Sequence, residues 1–271
     1  YYTHIKLEPK VVRNWCQPLS KKYGCILRLG ALYLKSLIAF SSGYDSLYIA
    51  WKYLTETNND VTLFFMDMSL LRRQEQVESY INPFQKYTSL ISHKWMKENL
   101  RDHEFKTHFV KKMDHKCDHG KQFIRIAAKM VNDKLYDEVV HGSSGLSVLV
   151  SRTGVMKKEF DSLAKRGSLR FPLAEWNKNT AHLITELPKE MKHLAVSCNF
   201  ATTDDNGNFV ECGVCHKCFR NKNIRRQLRN GCSPEEAMKN YMNTKQAKTI
   251  NYAFFSSKDA WGYFDEVKEV K

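Results

Sequence analysis

The sequence lacks any uninterrupted apolar run near the roughly 20 residues that a membrane-spanning helix needs. Its longest apolar stretches, such as residues 37–40 and 63–66, have the length of buried strands. A signal-peptide pattern of positive charge, apolar segment and small-residue cleavage site is also missing. From these two absences we expect a cytoplasmic protein that does not partner a membrane.

Acidic residues are few relative to basic ones, with 29 Asp and Glu against 43 Lys and Arg, for a formal net charge of +14. The excess is concentrated in residues 1–35 and 212–234, and the second segment contains no acid. Basic clusters attract phosphate in nucleic acid, nucleotide or substrate, although a solvated helix face has the same composition. A hydrophobic content of 42% excludes a disordered or collagen-like chain.

Four of the eight cysteines have the spacing of metal ligands. Cys198, Cys212, Cys215 and Cys218 form C-x13-C-x2-C-x2-C, and Gly213 supports a tight turn within the first short spacing. Four thiolates complete a tetrahedral zinc site with no open position, so we expect structural zinc. The spacing alone leaves a disulfide pair, an iron–sulfur cluster and free thiols as alternatives.

Strand-like and helix-like stretches alternate along the chain. The predicted strands are residues 37–40, 61–66, 107–110, 137–140 and 193–197, and the predicted helices include 47–54, 69–87, 122–134, 156–165 and 180–187. This alternation predicts an α/β fold with a doubly wound, Rossmann-like parallel sheet. We expect a basic extension at residues 1–35, a nucleotide-binding domain at 36–197, and a zinc-binding, helical part at 198–271.

Ligands of such sheets bind at the carboxyl ends of the strands. The first of these ends is a loop of small and polar residues, Ser41, Ser42, Gly43, Tyr44, Asp45 and Ser46. The N–H groups of a helix N-terminus and the serine hydroxyls suit an anion, and Asp45 suits either a phosphate-bridging Mg²⁺ or a helix cap. The loop has neither the Walker lysine nor the G-x-G-x-x-G spacing, and an ordinary strand-to-helix turn is the alternative.

The loop resembles S-G-G-x-D-S, the pyrophosphate-loop (PP-loop) motif of the N-type ATP pyrophosphatases, which split ATP into AMP and pyrophosphate. Ser42 stands where that motif has its first glycine, and a serine there requires an ordinary backbone angle. Cys198 followed by Cys212-Gly213-x-Cys215-x-x-Cys218 is similar to the zinc site of the 7-cyano-7-deazaguanine synthase branch. The resemblance covers roughly residues 36–230, and it implies an adenine nucleotide α-hydrolase-like fold.

The region that faces the acceptor in that branch departs from the pattern. Residues 114–122 lack the P-x-R-N-type stretch, and Ser151-Arg152-Thr153 stands near the place of an Asp-Cys-Arg stretch. The run His115-x-Cys117-x-His119 would share one face of a strand, which suits an acceptor pocket or a second metal. A polar loop without a function is the plainer interpretation.

The resemblance implies an ATP-dependent C–N ligase that adenylates a carboxylate on a deazapurine-like acceptor and uses ammonia to form an amide or nitrile, as in queuosine biosynthesis. It implies ATP, Mg²⁺ and Zn²⁺, with Asp45 and Ser46 catalytic. The nucleotide would be bound by the loop residues and bordered by Asp67, His141 and Gly142. A homodimer is compatible with this scheme, and the net charge keeps a nucleic-acid or protein acceptor open.

Two other functions fit the same residues. A tRNA thiolase of the same superfamily would adenylate a base oxygen, and Cys117 is the thiol that such an enzyme could use. A non-catalytic, zinc-stabilised binding module on a degenerate nucleotide fold is the third hypothesis, favoured by Ser42 and by the altered acceptor region.

Overall fold

Five parallel strands form the central sheet in the computed structural model, which describes residues 33–68, 85–110, 119–143, 147–198, 201–205 and 209–248. The strands are β1 (Lys35–Ala39), β2 (Asp60–Asp67), β3 (Glu104–Phe109), β4 (Glu138–Val140) and β5 (Ser168–Arg170). Their order is β3-β2-β1-β4-β5, so β1 pairs with β2 on one side and with β4 on the other. The direction of winding reverses at β1, and the crevice beyond its carboxyl end is therefore the expected ligand site.

The described residues contain nine helices and a two-stranded antiparallel hairpin. The helices are α1 (Tyr44–Glu56), α2 (Gln85–Asn99), α3 (His119–Asn132), α4 (Ser147–Leu163), α5 (Pro172–Glu175), α6 (Thr180–Glu186), α7 (Lys189–Lys192), α8 (His216–Arg229) and α9 (Pro234–Met242). The hairpin joins β6 (Thr202–Thr203) to β7 (Phe209–Val210). None of these helices is both long and apolar enough to cross a bilayer.

Helices cover both faces of the sheet because successive residues of β1 point to opposite sides. Ile38 packs with α1, α2 and the helices from α6 onward, while its neighbour Leu37 packs with α3 and α4. Both side chains are fully buried, which explains why the strand reads as an uninterrupted apolar run. The predicted doubly wound fold with a helical, cysteine-bearing C-terminal part is confirmed.

Two elements differ from the sequence prediction. Residues 193–197 form no strand, although residues 194–197 are buried. Their one backbone bond to the loop runs from the Val196 N–H to the Ser42 carbonyl at 2.9 Å. Their apolar character reflects burial beneath the loop rather than membership of the sheet. The edge strand β5 was missed because only Leu169 of its three residues is buried, so the strand contains no apolar run.

The predicted helix at residues 69–87 lies largely outside the described residues, and the sequence prediction did not include α2, which begins at Gln85. The basic segment of residues 1–32 also lies outside them, so its proposed separation as an extension stays a prediction. From Leu34 onward the described residues belong to one compact unit.

Candidate functional site

The loop of residues 41–46 lies between β1 and α1, at the point where the sheet changes its direction of winding. Gly43 is the N-cap residue of α1, and no side chain of the described residues caps this helix. The Tyr44 N–H points to the Ser197 hydroxyl at 3.4 Å, in the segment that follows α7. The N-terminus of α1 therefore keeps the donor character that suits an anionic ligand.

Ser46 holds the loop in a tight curve. Its hydroxyl accepts a hydrogen bond from the Ser41 N–H at 3.1 Å and donates one to the Gly43 carbonyl at 3.3 Å. The Ser41 hydroxyl lies 3.4 Å from the same oxygen. Two of the three serines predicted to bind phosphate, Ser41 and Ser46, thus lie together on the loop.

Ser42 is oriented differently from its neighbours. Its φ is 55°, in the left-handed region, so the expectation of an ordinary backbone angle was wrong. The side chain is fully buried, and its hydroxyl bonds to the Ser92 hydroxyl at 2.5 Å and to the Leu194 carbonyl at 2.9 Å. These two bonds offset the strain that a non-glycine residue meets at positive φ. The Ser42 hydroxyl therefore forms its hydrogen bonds with residues of the protein interior.

Asp45 is the second residue of α1, and it is placed to face positive charge. Its Oδ1 atom is buried and accepts no hydrogen bond from the described residues. Burial raises the pKa of this carboxyl, and the charges of Arg220 and Lys217 on α8 act in the opposite direction. Asp45 does not cap the helix, and its predicted role in binding a cation stays a prediction.

Lys217 and Arg220 lie in the first turns of α8, which begins inside the cysteine motif. The pKa of Lys217 is lowered, first by burial and then by the charge of Arg220, while Asp45 raises it. The approach of the second basic cluster to the phosphate-binding edge stays a prediction, which is supported by the effect of these two charges on the pKa of Asp45.

Tyr44 is almost completely buried and connects α1 to α8. Its hydroxyl accepts a hydrogen bond from Arg225 at 2.7 Å, and the Arg225 guanidinium also lies 3.7 Å from Glu211. The Tyr44 side chain thus contacts Arg225, and its contact with a nucleotide stays a prediction.

The other predicted residues lie at the ends of β2 and β4. Asp67 is buried at the end of β2, and the Lys86 ammonium lies 3.0 Å from its carboxylate. Gly142 is so close to α1 that an added Cβ would lie 3.3 Å from the Asp45 Cβ. His141 bonds through Nδ1 to the Ser143 hydroxyl at 3.0 Å, and its ring lies between aromatic neighbours. The end of β4 therefore borders the loop directly.

The four cysteine sulfurs of the motif converge within 4.8 Å of one another. The Cys212–Cys218 and Cys215–Cys198 sulfur pairs are each 4.0 Å apart, about twice the roughly 2 Å of a disulfide bond. Backbone N–H groups point at two of the sulfurs, from Cys212 to Cys198 and from Cys215 to Cys212, each at 3.3 Å. This set of thiols, which we call the cysteine knuckle, could bind a metal ion.

Local backbone geometry supports the cysteine knuckle. Gly213 has a φ of 73°, so it makes the tight turn that was predicted between Cys212 and Cys215. Hydrogen bonds from the backbone N–H groups of Cys215 and Val214 lower the pKa of the Cys212 thiol, against the opposing effect of burial. A lowered thiol pKa favours the thiolate form that binds metals.

Sequence reasoning missed several residues that shape the loop. Ser92 and Leu194 bond to Ser42, and Ser197 bonds to the Tyr44 N–H. No sequence motif marks them, because they come from two segments, α2 and the stretch after α7, that meet the loop only in the fold. Lys217 and Arg220 had a signal, since they lie within and just after a four-cysteine motif.

Parts of the predicted acceptor region lie outside the described residues. His115 and Cys117 are among these, and the side chain of His119 is not described. Their proposed roles in an acceptor pocket, a second metal site or a thiolation reaction stay predictions.

No protein-family model and no curated protein matches this sequence. Among solved structures, the chain is similar to the U34-tRNA thiolase NcsA from Methanococcus maripaludis with its [4Fe-4S] cluster. The similarity has a TM-score of 0.42 and 14% sequence identity, and covers 85% of this chain and 78% of that chain.

Proposed function

We propose that this chain is an adenylating enzyme of the ATP pyrophosphatase type, which binds the β- and γ-phosphates of ATP at residues 41–46. The observation that carries the proposal is the buried Asp45 oxygen without a hydrogen-bond partner, beside the charges of Lys217 and Arg220. A buried polar atom left without a partner is costly, and such a cost is commonly retained at a binding site. A bound cation and phosphates would complete the set of charges.

The residues fit a magnesium ion, because a carboxylate and phosphate oxygens are the ligands that this ion prefers. Asp45 would hold it, and the ion would offset the charge that develops on the departing pyrophosphate. Lys217 and Arg220 would contact the phosphates directly. The N-terminus of α1 would add N–H donors and a partial positive charge.

The reaction begins with attack of an acceptor carboxylate oxygen on the α-phosphorus of ATP. The bond from that phosphorus to the bridging oxygen breaks, and pyrophosphate leaves with the bonding electrons. The carboxylate becomes an acyl-adenylate, whose carbonyl carbon ammonia then attacks. AMP leaves, a proton is lost from nitrogen, and an amide results. The chain contributes mainly positioning and charge stabilisation.

The finer proposal is a 7-cyano-7-deazaguanine synthase-like enzyme with a deazapurine carboxylate as acceptor. Its product is the amide, or the nitrile that forms when a second ATP activates the amide oxygen and that oxygen is lost. It is supported by the order of the two motifs, with the phosphate loop after β1 and the cysteine knuckle at the start of α8. In this scheme Asp67, His141 and Gly142 border the nucleotide from the neighbouring strand ends.

We propose zinc as the metal of the cysteine knuckle. A tetrahedral ion with bonds of about 2.3 Å to sulfur brings its thiolates to roughly 4 Å from one another, near the observed sulfur separations. A four-iron cluster binds each thiolate through a different iron, which favours wider spacing. Because four thiolates leave no open position, this zinc would be structural.

The test is pyrophosphate release from ATP in the presence of magnesium, ammonia and a panel of carboxylated deazapurines. We expect AMP and pyrophosphate with one acceptor class, and we expect Asp45→Asn to abolish their release without changing the metal content. Asp161→Asn, at an exposed aspartate on α4, is the matched control and should keep full activity. Full activity in the Asp45→Asn protein would refute the proposal.

An RNA-modifying enzyme of the same superfamily is the second candidate, favoured by α8, which carries six Lys and Arg and no acid. It predicts ATP-dependent modification of an RNA base and loss of that activity in Cys117→Ala. An unchanged rate in that variant would argue against a thiolase. Failure of the chain to bind ATP at all would reject both enzymes and leave a non-catalytic binding module.

A further inference from the structure

A cavity lies beside the cysteine knuckle and along α8. Its volume is about 630 Å³, and it is bounded by α8 on one side and by α6 and α7 on the other. The cationic residues that line it are Lys192, Lys222, Arg225 and Arg229. Nothing in the proposed ATP chemistry uses these four side chains.

The charge in this cavity is strongly unbalanced. Glu211 is the single acid in its lining, and it lies 3.7 Å from Arg225. Among the described residues, Lys222 and Arg229 form no ion pair, and both are exposed. The Lys192 ammonium donates a hydrogen bond to the Thr185 carbonyl on the same wall, at 3.3 Å, and forms no ion pair among the described residues. Three of the four cations therefore face the cavity without a carboxylate partner.

The cations form a row along one face of α8. Lys222, Arg225 and Arg229 are three and four residues apart, the spacing of neighbours on a helix surface. The row extends roughly 10 Å along the helix axis, since the helix rises about 1.5 Å per residue. A single phosphate group cannot contact both ends of a row of that length, whereas successive phosphates of a strand can.

We infer that this cavity binds the phosphodiester backbone of a single-stranded nucleic acid. The four cations contact successive phosphates, and the apolar side chains of Ile184 and Leu228 in the lining contact the sugars. Binding is independent of base sequence, because the lining offers charge but no aromatic platform for bases. The inference does not depend on ATP chemistry, and holds equally if the enzyme acts on a small acceptor.

The structure also fixes how this surface relates to the phosphate loop. Arg225 lines the cavity and donates its hydrogen bond to Tyr44, which directly follows the Gly43 of the loop. A bound strand is therefore held next to the loop but by a different set of cations from Lys217 and Arg220.

The experiment measures binding of a short single-stranded RNA of mixed sequence, and of the DNA of the same sequence, without ATP and over a range of salt concentrations. The test variant is Lys222→Glu/Arg229→Glu. Its matched control is Lys129→Glu/Lys165→Glu, which has the same change in net charge at exposed positions on the opposite face of the sheet. Because all four side chains are exposed, thermal melting should show that both proteins fold.

We expect the test variant to bind both strands at least about tenfold more weakly. The slope of its log Kd against log salt concentration should be lower by roughly 1.4. The control variant and Asp45→Asn should bind like the unmodified protein. Equal weakening in the two double variants would show that the loss of binding follows from net charge alone, and would overturn the inference. Displacement of the RNA by stoichiometric inorganic pyrophosphate would also overturn it, since the cavity would then be a site for a small anion.

Discussion

The cysteine knuckle and the phosphate loop are both joined to α8, yet they are completed in different ways. The knuckle draws its four sulfurs from Cys198 and three cysteines within seven residues, and its own N–H groups support them. The loop is shaped by Ser92, Leu194 and Ser197, which are 50 to 153 residues distant in the chain. The cysteine knuckle is thus formed mostly by residues that are close in sequence, whereas the loop depends on the assembled fold.

Loss of one knuckle ligand should have the largest effect on stability. We expect Cys218→Ser to lower the free energy of unfolding by about 3 kcal/mol or more, because metal binding energy is folding energy at such sites. It should also abolish pyrophosphate release, since Lys217 adjoins the lost ligand. Thermal denaturation and metal analysis measure the effect.

The matched control is Cys232→Ser, at a half-buried cysteine outside the knuckle that contacts Gln227 and Asn240. It should keep its metal and lose at most about 1 kcal/mol. Equal melting temperatures for the two variants would show that the knuckle is not a metal site.

Replacement of Lys217 tests whether the cysteine knuckle positions a positive charge at the loop. We expect Lys217→Met to lower kcat/KM for pyrophosphate release by about 100-fold, because it removes a cation positioned for the developing phosphate charge. Metal content and melting temperature should change little. Lys239→Met, at an exposed lysine of α9, is the control, and equal kinetics in the two proteins would remove Lys217 from the site.

The difference between the two regions also explains what the sequence could predict. The knuckle was found from the spacing of Cys212, Cys215 and Cys218, because short spacings alone bring such ligands together. The strands β1 and β2 were found because burial on both faces leaves a continuous apolar run. The partners of Ser42 could not be found, since no local pattern records which distant segments meet beneath the loop.

Residues 193–197 show a related limit of sequence prediction, since here a clear pattern predicted the wrong structure. Their apolar run is real and buried, but it packs under the loop instead of pairing in the sheet. Sequence periodicity reports burial of a short segment and does not distinguish a strand from a buried connection.

Variants of Ser42 test the dependence of the loop on residues that are distant in the chain, and a smaller effect is expected there. Ser42→Ala should lower the free energy of unfolding by about 1–3 kcal/mol, because it loses the bonds to Ser92 and Leu194 while keeping a positive φ. Ser42→Gly loses the same bonds but relieves the backbone strain, so it should be about 1 kcal/mol more stable than the alanine variant. Chemical denaturation of both proteins measures the difference, and an alanine variant as stable as glycine would mean that the backbone there is unstrained.

The smallest expected effect is the pH dependence that Asp45 contributes, because the charges of Lys217 and Arg220 partly offset its burial. The pKa of Asp45 in the folded protein is raised, so the folded state binds the proton more tightly than the unfolded state does. The contribution of Asp45 to stability is therefore most favourable in acid, and it declines as pH rises from the ordinary aspartate range through the raised value.

Asp45→Asn removes this decline, so the ligand-free variant should be more stable than the unmodified protein at neutral pH and lose that advantage in acid. Magnesium and ATP should reverse the order at neutral pH, because they supply the charges that the Asp45 carboxylate lacks. Denaturation at several pH values, with and without magnesium and ATP, measures both effects. If Asp45→Asn stays more stable than the unmodified protein by the same amount with both ligands present, the Asp45 carboxylate only destabilises the fold. The loop, unlike the cysteine knuckle, would then not bind a cation.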